Sequence, residues 1–275
     1  KMGFLRIDES KCKKDGICAS ECPTAIIRLE DENSVPAIIP GREDACLICG
    51  HCVAVCPHGA LSHTRVPLEA CPSVEKDLVL NEIQAIQFLR SRRSIRVYKD
   101  KLVPKENIQK LIDIARYAPT GSNSQLVEWR VITDKDKMHA LSGMAVERLR
   151  DVVAGKTKRI PLPYMAGIIA AWDAGYDAIL RNAPALVVAY SPKEASNGMV
   201  DLTLALSYFD LVAPTMGLGT CWAGLLQGAL LASPDLKLKL GLPAEYPYHY
   251  PMMLGYPKFK YHRLPERKAP KIRWD

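Results

Sequence analysis

The pattern of apolar and polar positions divides the chain into two regions. Over residues 2–66 the apolar runs are short and are interrupted by cysteine, proline and glycine. Residues 67–82 have the composition of a linker that runs into a helix, and from about residue 83 helix and strand patterns alternate. We therefore predict a small N-terminal module over 2–66, a linker over 67–82 and a larger domain over 83–275.

The larger domain has the alternating patterns of an α+β fold. Apolar residues at helical spacing follow Pro104, which favours a helix start, and capping signals at Ser233, Pro234 and Gly241 frame a short helix. Continuous apolar runs predict buried strands in one sheet. The predicted helices include 104–117, 135–154, 164–181 and 200–217, and the predicted strands are 129–133, 185–190 and 250–256.

The most apolar window, residues 199–218, contains Asp201, Asp210 and a proline, so we expect a buried core helix rather than a membrane span. Lys1 precedes Met2 and is expected to be an expression scar, and no signal peptide is expected before the first cysteine. With 48% apolar and 24% charged residues, the composition is that of a globular protein. We expect a cytoplasmic location and no membrane partner.

The cysteines carry the strongest chemical signal. Seven of nine fall before residue 57, mostly with gaps of two or three residues, which favours a metal or cluster in a reducing compartment over disulfides. One run has C-x2-C-x2-C-x3-C-P spacing and consists of Cys46, Cys49, Cys52, Cys56 and Pro57. Three thiolates two residues apart let one loop hold three corners of a cubane, while the fourth reaches a different cluster. A zinc ribbon would need two CxxC pairs further apart.

This cross-ligation predicts a partner run, and "CKKDGICASECP" over residues 12–23 supplies it with Asp15 where a second cysteine is expected. A carboxylate is a harder ligand than a thiolate but can bind cluster iron. The open alternatives are a 4Fe–4S cluster with Asp15 or solvent on the odd iron, a 3Fe–4S core held by three cysteines, and a lost cluster with Asp15 as a turn residue before Gly16.

This layout resembles that of the bacterial two-cluster ferredoxins over residues 2–66. The resemblance implies that one cluster is held by Cys22, Cys46, Cys49 and Cys52. It implies that the other is held by Cys12, Cys18 and Cys56, with Asp15 as the candidate fourth ligand. Since cysteines fill the first set, His51 and His58 are expected beside the ligands or at the surface, and Cys71 is expected to be a small apolar side chain.

Three stretches in the larger domain predict a site for a phosphorylated aromatic cofactor. Four arginines and two serines within residues 90–96 suit a phosphate monoester, although a solvated basic helix end is the alternative. "APTGSNSQ" (118–125) offers amides to a ring edge, or is a generic loop. The glycines of "GLGTCWAGLL" (217–226) let backbone approach a flat ring, or form a tight packing turn. That stretch is not a Rossmann fingerprint.

In this order and spacing, "RRSIRVY", "APTGSNSQ", "GLGTCWAG" and the late "LGYPKFKYHRLPERK" resemble the nitroreductase family of FMN-dependent oxidoreductases, over about residues 86–270. With the cysteine module in front, the chain looks like the ferredoxin-fused branch of that family. The resemblance implies a ferredoxin-like module followed by an α+β FMN-dependent fold, in an intertwined homodimer with FMN at the subunit interface.

The resemblance also implies which residues hold FMN. Those near the phosphate are Arg92, Arg93, Ser94 and Arg96, completed by Arg267 or Lys268 in preference to Arg263. Those that address the ribityl chain or ring are Asn123, Ser122 and Gln125. Those along the ring are Cys221, Trp222, Ala223 and Gly224, with the Gly224 N–H as a candidate partner of the N5 region.

Two departures limit what the resemblance transfers. The family often has Gln-Pro-Trp after the amide loop, whereas three residues separate Gln125 from Trp129 here, which leaves the role of Gln125 open. Ala223 stands where relatives that reduce nitro compounds often carry a charge. Tyr164, Tyr176 and the segment 155–161 are candidates for a substrate lid, with a mobile surface loop as the alternative. No general acid or base stands out.

We expect an enzyme in which electrons enter through the clusters, pass to FMN and reduce a nitroaromatic, quinone or flavin, with NAD(P)H or a ferredoxin as donor. The alternatives are an electron carrier for protein partners, reductive dehalogenation, flavin-consuming chemistry as in the branch that makes a vitamin B12 ligand, and a zinc-binding regulator.

The net charge of +7 suggests a nucleic-acid partner. However, two clusters of roughly −2 each and a flavin phosphate near −2 offset most of this positive charge. We expect no nucleic-acid partner.

Overall fold

The computed structural model describes residues 3–275, which form two compact units. The first unit comprises the described residues up to Val79 together with Ser122–Ser124, and the second comprises Leu80–Gly121 and Gln125–Asp275. The interpretation of Lys1 and the start of the predicted module at residue 2 lie outside the described residues. Most of the predicted linker falls in the first unit, where it forms two short 3-10 helices.

The first unit contains two small antiparallel sheets and two short helices. Its elements are β1 (Leu5–Ile7), α1 (Ile17–Ser20), β2 (Ile27–Arg28), β3 (Ala37–Ile38), α2 (His51–Val55) and β4 (Leu61–His63), with β1 paired to β4 and β2 to β3. Gly16 precedes α1 with a φ of 71°, and Gly50 precedes α2 with a φ of 73°. Residues with a Cβ rarely adopt this left-handed backbone conformation. The two cysteine runs therefore turn into their helices in the same way.

The second unit is built on one antiparallel sheet. Its elements are α3 (Glu82–Ser91), α4 (Lys105–Ala115), β5 (Glu128–Ile132), α5 (Lys135–Val153), α6 (Tyr164–Asp173), β6 (Ala185–Ser191), α7 (Gly198–Val212), β7 (Gly219–Trp222), α8 (Gly224–Leu230), α9 (Pro234–Leu240) and β8 (Tyr248–Gly255). The strand order is β5-β6-β8-β7. The α+β fold expected from the sequence is confirmed.

Helices cover both faces of this sheet. Along β6, Leu186 and Val188 join the apolar cluster that includes residues of α5, α8 and α9. Ala185, Val187 and Ala189 join the cluster that includes residues of α4 and α7. Because alternate residues of a strand point to opposite faces, a strand buried on both sides shows a continuous apolar run, as β6 does.

Two parts of the sequence prediction are wrong. The helix predicted over 164–181 ends at Asp173, because Gly175 adopts a φ of 83° and the chain turns. The segment 217–226 contains the strand β7, which the sequence suggested as a turn or flavin loop. A Cβ on Gly219 would lie 2.3 Å from Ile95 Cγ1, so the glycine is needed for close packing. The missing side chain also removed the apolar pattern by which a strand is recognised.

The helix α7 and the 3-10 turn after it, residues 198–216, are the one helical segment in residues 3–275 long and apolar enough to cross a membrane. In the fold, Leu202, Leu206 and Phe209 of this helix are fully buried against the sheet. Asp201 and Asp210 are also buried, and both accept hydrogen bonds from within the second unit. This is the packing of a core helix.

Candidate functional site

One cavity of the first unit is lined by the cysteines of one predicted ligand set. The four sulfur-bearing residues around it are Cys22, Cys46, Cys49 and Cys52, and the cavity encloses about 410 Å³. Cys46 and Cys49 belong to the loop before α2, and Cys52 lies in α2. Cys22 comes from the other run, just after α1. The fold thus brings one residue of the first run to three of the second.

A second cavity of about 290 Å³ is lined by Cys12, Cys18, Cys56 and Asp15. Asp15 Oδ1 accepts a hydrogen bond from the Ile17 N–H at 3.2 Å, and its Oδ2 lies 3.5 Å from His58 Nε2. The carboxylate therefore begins the turn into α1 and faces the cavity as well. The two interpretations of Asp15, turn residue and iron ligand, are compatible in this geometry.

The donor set fits iron–sulfur clusters. Four cysteines line one cavity and three line the other, and cysteine thiolates are the usual ligands of such clusters. Burial raises the pKa of the Cys52 thiol to about 11 and also raises the pKa of Cys18. These thiols are protonated in the metal-free protein, so iron loading must release protons.

Two residues outside the cysteine runs reach the loop between Cys46 and Cys49. The Asn123 Nδ2 donates hydrogen bonds to the carbonyl oxygens of Leu47 and Ile48, at 3.0 and 3.1 Å. The buried His63 lies with its Nε2 3.7 Å from Cys46 Sγ. The sequence prediction assigned Asn123 to the flavin and gave His63 no role. No sequence signal links either residue to this loop, because both contacts depend on the tertiary fold.

In the second unit, an arginine-lined cavity gathers part of the predicted phosphate site. Four guanidinium groups line it, those of Arg90, Arg92, Arg93 and Arg267, with Glu266 as the one acidic lining residue. Arg93 also lies over the Tyr261 ring at 5.9 Å. Clustered guanidinium groups provide paired N–H donors for a phosphate, so the residues present suit a flavin phosphate. Arg263 and Lys268 are exposed and do not line this cavity.

Arg92 is held by a buried carboxylate that the sequence prediction did not assign to the site. The Asp210 Oδ2 lies 3.4 Å from Arg92 Nη1 and accepts a hydrogen bond from Trp222 Nε1 at 3.2 Å. Thr220 Oγ1 donates to the other carboxylate oxygen. A buried charge with several donors is fixed in place. The signal in the sequence was a charged residue inside the most apolar window.

The other predicted phosphate residues lie elsewhere. Arg96 lines a separate cavity with Tyr98 and Arg181. Burial raises the pKa of the Cys221 thiol, while Arg96, Arg181 and a hydrogen bond with Ser94 lower it. Ser94 and Arg96 therefore lie near Cys221, and neither lines the cavity that contains Arg92.

The predicted ring-binding segments are only partly available to a ligand. Cys221 and Ala223 are buried in one apolar layer and Trp222 packs against the other, so their side chains belong to the core. Gly224 is the first residue of α8 and lines an open cavity. Gln125 is exposed, with its N–H bonded to Thr120. The exposed Ser122, like Asn123, belongs to the first unit.

Comparisons with known proteins agree with this architecture. Iodotyrosine deiodinase 1 of Pongo abelii is 23% identical over an alignment of 216 residues, which covers 73% of this chain and 68% of that protein. A nitroreductase structure with bound FMN from Bacteroides fragilis is 22% identical with a TM-score of 0.56, over 70% of this chain and 98% of its own. A structure of iodotyrosine deiodinase bound to FMN and 3-iodo-L-tyrosine is 19% identical with a TM-score of 0.51, over 69% and 98%.

Family models match both units. Residues 6–60 match the model of a 4Fe-4S dicluster domain. Residues 89–256, more than half of the chain, match the model of the nitroreductase family. The expected combination of a ferredoxin-like module and a nitroreductase fold is confirmed, and the chain belongs to the nitroreductase family.

Proposed function

We propose that this flavoprotein oxidoreductase takes up electrons at two iron–sulfur clusters in the first unit and transfers them, through FMN in the second, to a small acceptor such as a nitroaromatic, quinone or flavin. The observation that carries the proposal is the presence of two separate cavities, each lined by one of the two ligand sets expected from the cysteine runs. NAD(P)H or a reduced ferredoxin is the donor.

The two cavities support one ligand set for each cluster. Cys22, Cys46, Cys49 and Cys52 hold a 4Fe–4S cluster, because four thiolates match its four irons. Cys12, Cys18 and Cys56 hold the other, with the Asp15 carboxylate or solvent on the fourth iron. Asp15 faces that cavity, which supports the 4Fe–4S form, and a 3Fe–4S core is the form expected if Asp15 binds no iron.

In the second unit, Arg92, Arg93 and Arg267 bind the FMN phosphate, and Asp210 keeps the Arg92 guanidinium in position. The backbone at Gly224 faces the ring, since the neighbouring side chains are packed in the core. Bound FMN supplies chemistry that can combine single-electron input with two-electron output. The chain's own task is to bind the phosphate and to leave one open cavity beside Gly224 for the acceptor.

We further propose an intertwined homodimer in the cytoplasm. Large apolar side chains are exposed on α3, where Ile83 is 80% exposed, and in the extended C-terminal segment, where Trp274 is 88% exposed. Exposed large apolar side chains on both segments suit a subunit interface. All nine cysteines are free thiols, which suits a reducing compartment.

Reductive dehalogenation is the second candidate. Iodotyrosine deiodinase is a relative in sequence and in fold, which favours halogenated aromatic acceptors over the electron-carrier alternative. Turnover of para-nitrobenzoate and of 3-iodo-L-tyrosine by the same preparation, each with dithionite as reductant, distinguishes the two enzyme proposals. An electron carrier would turn over neither.

The first experiment counts the cofactors. An oxygen-free preparation should contain FMN and enough iron and sulfide for two clusters per chain, with EPR of the oxidised form reporting any 3Fe–4S core. Cys52→Ser should lose one cluster, and Cys12→Ser should lose the other. Cys71→Ser is the matched control because Cys71 lines neither cavity, and it should keep both. Flavin without sulfide, or sulfide without flavin, would refute the proposal.

The second experiment follows the electron route by stopped-flow spectroscopy in a single turnover. Reduction of the clusters should precede reduction of FMN when the donor is a reduced ferredoxin, and the Cys52→Ser protein should lose that rapid phase. If NAD(P)H reduces FMN with no spectral change at the clusters, the relay does not run in this direction.

A further inference from the structure

The cavity beside Gly224 combines an apolar floor with a cationic rim. Its volume is about 240 Å³, slightly below the usual range of small-ligand sites, and its mouth is open to solvent. The floor is formed by α8, by Leu149 and Val152 of α5, and by Ala232 just after α8. Gly228 has no side chain, and Ala229 and Ala232 each carry only a methyl group.

Three cationic side chains face this cavity, and no acidic residue lines it. They are Arg148 of α5 and Lys158 and Arg159 of the segment between α5 and α6. The guanidinium of Arg159 lies against α8, since a Cβ added to Gly228 would come within 3.4 Å of Arg159 Nη1. This spacing places the Arg159 guanidinium within van der Waals reach of Gly228.

These cations have few partners within the protein. Asp151 Oδ2 lies 3.6 Å from Arg148 Nη1, and its other oxygen pairs with Lys156. Arg148 Nε is buried and has no hydrogen-bond partner among residues 3–275. In the same part of the chain, no carboxylate lies within ion-pair distance of Lys158 or Arg159. Two cations without a carboxylate partner, beside a third that has one, favour an anion in this cavity.

We propose that the acceptor of this enzyme is an aromatic carboxylate, with its ring on the floor next to Gly224 and its carboxylate bound by Lys158, Arg159 and Arg148. The inference rests on the proposed function, because it takes the cavity at Gly224 as the acceptor site. It deepens that function by naming the acceptor class. The segment 155–161, a candidate lid in the sequence, is the part that carries two of the cations.

The test compares para-nitrobenzoate with para-nitrobenzamide, which has the same ring and nitro group but no charge. Isothermal titration calorimetry of the oxidised holoprotein should show tighter binding of the carboxylate. The Kd for the carboxylate should rise about fivefold in Arg159→Gln, because one ion pair near the surface contributes about 1 kcal/mol to the binding free energy. The Kd should rise further in the double variant Lys158→Gln/Arg159→Gln. The amide should bind these variants and the unmodified protein alike.

The matched control is Lys156→Gln, which removes a cation from the same segment outside the cavity. It should leave the Kd of para-nitrobenzoate unchanged. Equal affinity for the acid and the amide, or an equal loss of affinity in the control, would overturn the assignment. A loss of affinity for NADPH in Arg159→Gln with none for para-nitrobenzoate would also overturn it, because the cations would then serve the donor phosphate.

A kinetic experiment distinguishes failure of this inference from failure of the proposed function. Protein reduced with dithionite should transfer two electrons to para-nitrobenzoate, whose nitro group takes up two protons and releases water to give the nitroso compound. If neither compound reoxidises the protein, the proposed function fails, while the binding data still decide the anion site. If both react with the same kcat/KM in every variant, the function stands and the acceptor class is wrong.

Discussion

The imidazole of His63 is fixed in one tautomer by its hydrogen bonds. The Arg65 N–H donates to His63 Nδ1 at 3.0 Å, so the ring proton is on Nε2, which faces Cys46 Sγ at 3.7 Å. The Phe4 ring packs against the imidazole with centroids 4.9 Å apart. Burial, with a smaller effect of Arg65, lowers the pKa of His63. The geometry gives Cys46 a neutral N–H donor.

We expect His63→Phe to shift the midpoint potential of the cluster at Cys46 to a more negative value. An N–H donor stabilises the extra negative charge of the reduced cluster, and loss of the donor removes that stabilisation. Phenylalanine retains the packing against Phe4. The measurement is an EPR-monitored redox titration, in which His63→Gln should recover part of the shift.

The control for this prediction is His58→Phe, since His58 lies beside the other cavity. It should leave the potential of the cluster at Cys46 unchanged. If His63→Phe and the unmodified protein titrate at the same potential, His63 serves packing alone.

At the residue scale, the two cavities gather the cysteine sets that the resemblance to two-cluster ferredoxins implies. That assignment stays a prediction, and its basis in the sequence is the spacing of the cysteine runs. The roles of His63, Asn123 and Asp210 could not be predicted. Each acts on a residue from 17 to 118 positions away, and no local pattern encodes such a contact.

At the element scale, the pair of His249 on β8 and Gln227 on α8 joins the sheet to a helix. His249 Nδ1 lies 3.2 Å from Gln227 Oε1, and both side chains are buried. Burial, with a smaller effect of Lys237, lowers the pKa of His249 from 6.5 to about 4. The folded protein therefore holds this imidazole neutral over a pH range in which the unfolded chain protonates it.

The pH dependence of stability follows from that difference. The contribution of His249 is fully present above pH 6.5 and is lost as the pH falls from 6.5 towards 4, by up to about 3 kcal/mol. We expect His249→Gln to lose less stability than the unmodified protein between pH 7 and pH 5. Urea unfolding followed by tryptophan fluorescence measures the free energy of unfolding of the second unit, because all four tryptophans lie there.

His262→Gln serves as the control, since His262 is exposed in the C-terminal segment. Its stability should fall with pH as steeply as that of the unmodified protein. The same slope for His249→Gln would contradict the prediction.

The elements themselves were predictable where side-chain pattern and burial agree. The helix α4 and the strands β5, β6 and β8 were predicted to within about two residues at most ends, because their apolar residues follow the period of the structure they form. The strand β7 was missed because Gly219 interrupts its apolar pattern. The glycine is required there because Ile95 packs so closely that a Cβ would not fit. That constraint comes from another part of the fold.

At the scale of the whole molecule, the two units differ in how much apolar core they contain. The buried core cluster of the first unit consists of Cys18, Ile26, Ile27 and Leu61. The second unit has two much larger clusters on the two faces of its sheet. A unit with so small a core generally needs a metal or another crosslink to remain folded.

We therefore expect iron removal to unfold the first unit and leave the second folded. After anaerobic chelation, limited proteolysis should cut within residues 3–79, while the tryptophan fluorescence of the second unit should keep its cooperative thermal transition. A sample treated with the iron-loaded chelator is the control. Equal protease resistance with and without iron would show that the first unit is stable on its own.

The sequence by itself determined the nature of the chemistry and the order of the two units. Ligand spacing, capping residues and apolar periods are local properties, so the cysteine runs, the arginine cluster and most elements can be identified from neighbouring residues alone. Only the tertiary structure decided which side chains share a cavity, because residues such as Gly224 and Arg159, or Asn123 and Leu47, meet through packing between distant segments. The close contact at Gly219 has the same origin.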